Sequence, residues 1–405
     1  MSIQSYRERV VAYSGHMSGE LMALYIHRLL MHAAFVVAGV FTVVFVYKYF
    51  HDSLWAVLTV FGSMYFLTAL LTPLSGKLLS HLGLRTLIVL ALPFSSVGVL
   101  ALYHLSVNPG GEPLVWVMVV FVVCSALYRA FYWLPYQVDM TRLIDRGHRG
   151  SQVALLMSVA DVNVVVMPFW GGLIVAQYGF DALFILSLLL TMAALLPLMY
   201  IQNHFEEYSW GFMQSFRELF SAKHRPLFAA YVGDGAQSAA QVIVWPLFVF
   251  LLLDQEYVAL GAITALTFLA VMCLQFTVGH LFDSGHKKRV LWWGAVFSAS
   301  GWFLRLFVAT PLGIFVVDTY HGVGQSVNRM TIDAMTYEQA ADNGRYIDEY
   351  TALKEIGLNL GRTFCLLVVA MGAYVGGIPI GFAAGILVAA IATLYTARLN
   401  ERVCL

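Results

Sequence analysis

The chain has 405 residues, of which 60% are hydrophobic and 11% charged, and its mean hydropathy is +0.77. Soluble domains keep about a quarter of their residues charged, so a soluble globular fold is excluded. The 23 basic residues balance the 23 acidic ones, which leaves no bulk charge for nucleic acid or an acidic partner, and Cys124, Cys273, Cys365 and Cys404 stand singly, with neither disulfide nor metal-ligand spacing.

The first 19 residues are too polar for a secretory signal and are expected to form a short helix at the membrane surface. Beyond them, runs of about 20 apolar residues, the length needed to cross a bilayer, recur twelve times. They are 21–47, 54–75, 84–106, 114–137, 151–176, 180–202, 225–253, 258–281, 289–309, 311–335, 350–374 and 377–398. Helices are the expected form, because lipid offers no partner to a free backbone amide. The longest polar break, 203–224, has six runs on either side and reads as a linker with an interfacial amphipathic helix. The expected division is therefore 1–203, a linker at 204–224, and 225–405.

Several spans carry polar residues at helical spacing. Span one has His27, Arg28 and His32, and span four has Ser125, Tyr128, Arg129, Tyr132 and Tyr136. Span five has Asp161, span seven Asp234, Gln237 and Gln241, and span eleven Glu355, Asn359 and Arg362. In span ten, Asp318, His321, Gln325 and Asn328 share a face bordered by Arg329. A charge at mid-bilayer costs about 3 kcal/mol, so these faces should look onto protein or water. Arg305 of span nine lies near a span end and is expected to snorkel. Glu355 and Arg362 are two turns apart, too far for a direct bridge, so each should seek a partner on another helix.

Orientation follows the basic residues. With the amino terminus inside, seventeen Lys and Arg fall in inner segments and only Lys48 falls in an outer one, so both termini are expected to be cytoplasmic. The localisation expected is multi-pass in a cell or inner membrane.

The two halves repeat. "GKLLSHLGLRTL" (76–87) follows span two and "GHLFDSGHKKRVL" (279–291) follows span eight, about 203 residues later, and Arg129 and Arg329 are 200 apart. These loops resemble the glycine, acid and basic pattern of the major facilitator superfamily, through Gly76, Gly83 and Arg85 in the first copy and Gly279, Asp283, Gly285 and Lys287 in the second. Ser80 stands where that pattern has an acid. "MPFWGG" (167–172) resembles the superfamily's Pro-x-x-Gly-Gly ending of span five, and Arg149–Gly150 its signal before that span. The resemblance implies an all-α membrane protein with twelve helices in two six-helix bundles related by pseudo-two-fold symmetry. Spans one, four, seven and ten would line a central cavity, and the two loops would act in gating.

The function expected is secondary active transport by alternating access, coupled to protons. Arg28, Arg129, Arg329 and Arg362 favour a small anionic or zwitterionic organic solute, since a guanidinium suits carboxylate and phosphate. His32, Tyr128, Tyr132, Gln237, Gln241, His321, Gln325 and Asn328 complete the expected binding set. Asp161, Asp234 and Asp318 are the candidate proton carriers, and sodium is the alternative coupling ion. Two other readings are an exporter of amphipathic compounds and a non-transporting scaffold or receptor. No phosphate-cradling loop or nucleophile elbow occurs, so no enzymatic activity and no cofactor are expected, and the chain is read as a monomer.

Overall fold

The computed structural model describes residues 18–109, 114–143, 149–206, 208–221, 224–279, 287–342 and 347–403, with side chains described outside 141–159, 275–291, 327–347 and 397–403. The expected surface helix in the first 19 residues lies almost wholly outside the described residues.

Ser18 caps span one (Gly19–Tyr49) and Ser53 caps span two (Leu54–Leu82), each hydroxyl accepting a backbone N–H three residues on, at 3.2 and 3.3 Å. Spans three and four are Leu84–Ser106 and Val115–Leu143. Spans five and six run continuously as Arg149–Ala193, broken at Gly179 (φ 85°) and completed by the short helix Leu195–Leu198. Span seven is Arg225–Ala239, a π-turn at Ala240–Val244, then Trp245–Leu252. Span eight is Tyr257–Gly279, and span nine is Lys287–Leu304 with a closing 3₁₀ turn at Arg305–Phe307. Spans ten, eleven and twelve are Pro311–Asp342, Ile347–Gly376 and Ile378–Val403. Every expected span is thus helical over most of its described residues, in two bundles of six.

The linker forms the helix Phe212–Leu219 and is tied to both bundles. Asn203 donates to the Leu82 carbonyl (2.8 Å) and the Leu84 amide donates to the His204 carbonyl (2.8 Å). On the other side, the Ser209 amide and hydroxyl both donate to Glu349 at the start of span eleven, at 2.9 and 2.5 Å. Tyr208 packs on Gly76 and pairs with Ser215 at 2.8 Å, and burial pushes its pKa to about 12, so it stays protonated.

At the far end from the linker, the two bundles meet. Lipid gives no hydrophobic drive between helices, so close approach by small residues supplies the contact energy. A methyl group on Gly172 of span five would sit 2.6 Å from the Tyr257 carbonyl of span eight, and one on Gly171 would sit 2.5 Å from the Val37 carbonyl of span one. Phe180 stands edge-on to Tyr257 (5.5 Å) and packs with Phe45 (5.1 Å). Lys48 donates to Gln255 across the bundles and pairs with Asp52 at 3.1 Å. His51 and Asp52, and their counterparts Asp254 and Gln255 203 positions later, are consecutive left-handed residues (φ 54°, 62°, 51° and 65°). Two matching turns at the repeat offset express the internal symmetry in the backbone itself.

Candidate functional site

In the N-terminal bundle, residues 128, 132 and 136 fall one turn apart on span four and stack their rings. Tyr128 and Tyr132 are 5.0 Å apart at 26°, and Tyr132 and Tyr136 are 5.6 Å apart at 6°. Arg28 lies over Trp133 (4.7 Å) and Tyr136 (5.5 Å) at the edge of this ladder. His27 is buried beside it and donates to the Ala194 carbonyl (2.7 Å), which fixes span one to span six. His32 is one turn beyond Arg28 and part-buried, as is Asp161 on span five.

Between the bundles, one ring gathers two cations. Arg129 of span four lies 5.1 Å from the Tyr65 ring and Arg362 of span eleven 5.3 Å from it. Tyr65, on span two, is buried, and no motif or periodicity singles it out. The buried Arg129 Nε has no hydrogen-bond partner among the described residues. Arg362 donates to Ser238 of span seven (3.3 Å) and to Asn359 Oδ1 (3.0 Å). Asp234 of span seven is exposed. Glu355 is buried and accepts from Gln137 of span four at 2.5 Å, so it and Arg362 do turn to other helices.

Within the C-terminal bundle the outcome differs from expectation at several residues. Arg305 does not snorkel: it is 1% exposed. The far-end turn reverses the chain, which sets Asp318, two helical turns into span ten, against it. Arg305 Nε and Nη2 each lie 2.9 Å from Asp318 Oδ1, and Trp245 Nε1 donates to Asp318 Oδ2 at 2.8 Å. Arg305 Nη1 donates to Gln241 at 2.8 Å, and the guanidinium stacks with Trp302 (4.2 Å) and Trp245 (4.6 Å). Asp318 and Gln241 are thus engaged in a closed cage around a cation whose position near a span end suggests snorkelling. Gln241 and Trp245, four residues apart across the π-turn at Ala240–Val244, share the face of span seven that reaches it.

His321, also on the polar face of span ten, is buried, donates to the Ser298 carbonyl (2.9 Å) and meets Trp302 edge-on at 4.7 Å. The first two members of that face therefore turn to span nine. Gln237 accepts from Thr393 (2.8 Å) and donates to Thr396 (3.4 Å), joining spans seven and twelve. Gln325 is part-buried. The side chains of Asn328 and Arg329 lie outside the described residues.

In the first loop, Gly83 ends span two at φ 81°, a backbone that favours glycine, and a methyl there would strike Asn203 (2.4 Å being the separation avoided, from its Oδ1). Ser80 donates to the Lys77 carbonyl of its own helix at 2.8 Å, and Arg85 is part-buried. In the second loop Gly279 closes span eight, while Asp283 and the Lys287 side chain lie outside the described residues.

No family model and no curated protein matches the chain. Among solved structures, it is similar to the crystal structure of the human organic anion transporter MFSD10 (TETRAN), with a TM-score of 0.68, 12% identity, and coverage of 93% of this chain and 99% of that one. The similarity spans both six-helix halves, and the chain has the fold of the major facilitator superfamily.

Proposed function

We propose that the chain is a secondary active transporter that moves a small organic anion by alternating access, with the far end as the outer gate. One observation carries this reading. Arg28, Arg129 and Arg362 rest on aromatic rings with no carboxylate within 4.0 Å among the described residues, whereas Arg305 holds Asp318 in such a pair. Cations kept inside a membrane protein without a fixed counter-charge are costly, and an anionic solute that enters between the bundles offsets that cost. Organic anion transport by the similar human protein agrees with this choice.

In this reading the bundles are 1–203 and 225–405, joined by the 204–224 linker, with both termini on the cytoplasmic side. Arg129 and Arg362, reached from opposite bundles, bind the anion, with Arg28, His32 and the tyrosine ladder beside them. Asp234 is the proton carrier, because it is the exposed one of the three candidate carboxylates Asp161, Asp234 and Asp318. Asp318 is held too firmly by Arg305 for that task. The glycine-bearing loops 76–87 and 279–291 act at the inner gate.

Uptake of labelled organic anions into vesicles containing the purified protein, under an imposed pH gradient, tests the reading. Uptake that depends on the gradient is the expected result, and Asp234→Asn should abolish driven uptake yet leave anion exchange. Silence toward every anion, or unchanged driven uptake by Asp234→Asn, would refute the transport reading or the coupling residue respectively.

A further inference from the structure

A cavity of about 720 Å³ lies away from the central site, on the outer flank of the C-terminal bundle between spans seven, eleven and twelve. Its floor is made by small residues. Gly233 packs against Thr396 and Ala392 of span twelve, and Ala236 sits one turn deeper. Phe364 of span eleven forms one wall and is half-exposed. The lining is almost wholly apolar except at one end, where exposed Arg225, the first residue of span seven, stands beside Phe220 at the end of the linker.

The dimensions select an occupant. From Arg225 to Ala236 the helix rises about 16 Å, at 1.5 Å per residue, which is close to half of the roughly 30 Å hydrocarbon core. The groove therefore begins at the level of the linker helix and ends near mid-bilayer, with its single cation where lipid headgroups lie. Its wall on span seven is the side opposite Asp234, so it is separate from the central site.

We propose that this groove is a lipid site: it holds an acyl chain of an anionic phospholipid from the linker-side leaflet, with the phosphate on Arg225. A basic residue at a membrane surface contributes about 1 kcal/mol to anionic lipid binding, so a preference of about fivefold over a zwitterionic lipid follows. This inference does not depend on the transport reading.

The full chain, exchanged into nanodiscs of equal phosphatidylcholine and phosphatidylglycerol, would be released and its retained lipid counted by native mass spectrometry. Wild type should retain phosphatidylglycerol about fivefold over phosphatidylcholine. Arg225→Gln should erase the preference while leaving an apolar-held lipid, and Ile391→Trp, at an exposed position of the lining, should reduce retention of both. Equal retention of the two lipids by wild type, or an undiminished preference in Arg225→Gln, would overturn the proposal. Arg225 and Ile391 are both solvent- or lipid-exposed, so neither substitution disturbs the core; matched circular dichroism and melting temperature would confirm that the variants are folded.

Discussion

Arg305, which is buried, and the part-buried Arg129–Arg362 pair are cations within the spans of one protein, yet they are treated in opposite ways. Arg305 has a carboxylate, an amide oxygen and two indole rings around it, all from the C-terminal bundle. Arg129 and Arg362 come from different bundles and share one tyrosine ring, with no carboxylate in contact among the described residues. A closed set of partners within one bundle holds helices together through a transport cycle. An open set between bundles leaves charge for something that arrives and departs. The contrast separates a structural arginine from a functional pair more sharply than composition can.

Substitutions at the two places should therefore fail differently. The largest effect is expected for Arg305→Gln, which removes the buried cation and leaves the part-buried Asp318 carboxylate without it, and should cost about 3–5 kcal/mol of stability, read as a lower melting temperature in detergent. Adding Asp318→Asn to that variant should recover much of the loss, and no recovery would show that the cage is not a coupled pair. Next, Arg129→Gln or Arg362→Gln should leave the melting temperature of the empty protein nearly unchanged but remove about 1.5–3 kcal/mol of anion binding, which is about 10- to 150-fold in Kd by calorimetry. Tyr65→Leu should weaken anion binding by about 0.5–2 kcal/mol through loss of the shared ring, whereas Tyr65→Phe should not. Smallest of all, Lys48→Ala removes a part-exposed pair with Asp52 and should shift stability by no more than about 1 kcal/mol. A large fall there would mean that the far-end contact with Gln255 carries more than a surface pair.

Much of this architecture was legible from the sequence. Hydropathy marks every span, because crossing lipid demands a long apolar helix whatever its neighbours are. The offset of about 203 residues, found in the loops, reappears in the paired left-handed turns at 51–52 and 254–255. The partnerships were not legible. A polar face on span ten says that Asp318 and His321 avoid lipid, but not that span nine lies opposite them. Arg305 differs from its expectation for the same reason, since depth along a span does not reveal a turn that folds an aspartate onto it. Tyr65 is one aromatic in an apolar run, and only the approach of two guanidinium groups from separate helices distinguishes it from packing. Asn203, which ties Leu82 and Thr86 to the linker, is a single polar residue at a span end and carries no periodic signal.

The central claim is that the open pair awaits an anion while the closed cage does not. Thermal stabilisation of the purified protein by a panel of matched anionic and neutral solutes measures it most directly, because a ligand bound to the folded state raises its melting point. The account predicts stabilisation by organic anions alone, lost in both Arg129→Gln and Arg362→Gln. Equal stabilisation by neutral solutes, or anion stabilisation that survives both substitutions, would contradict it.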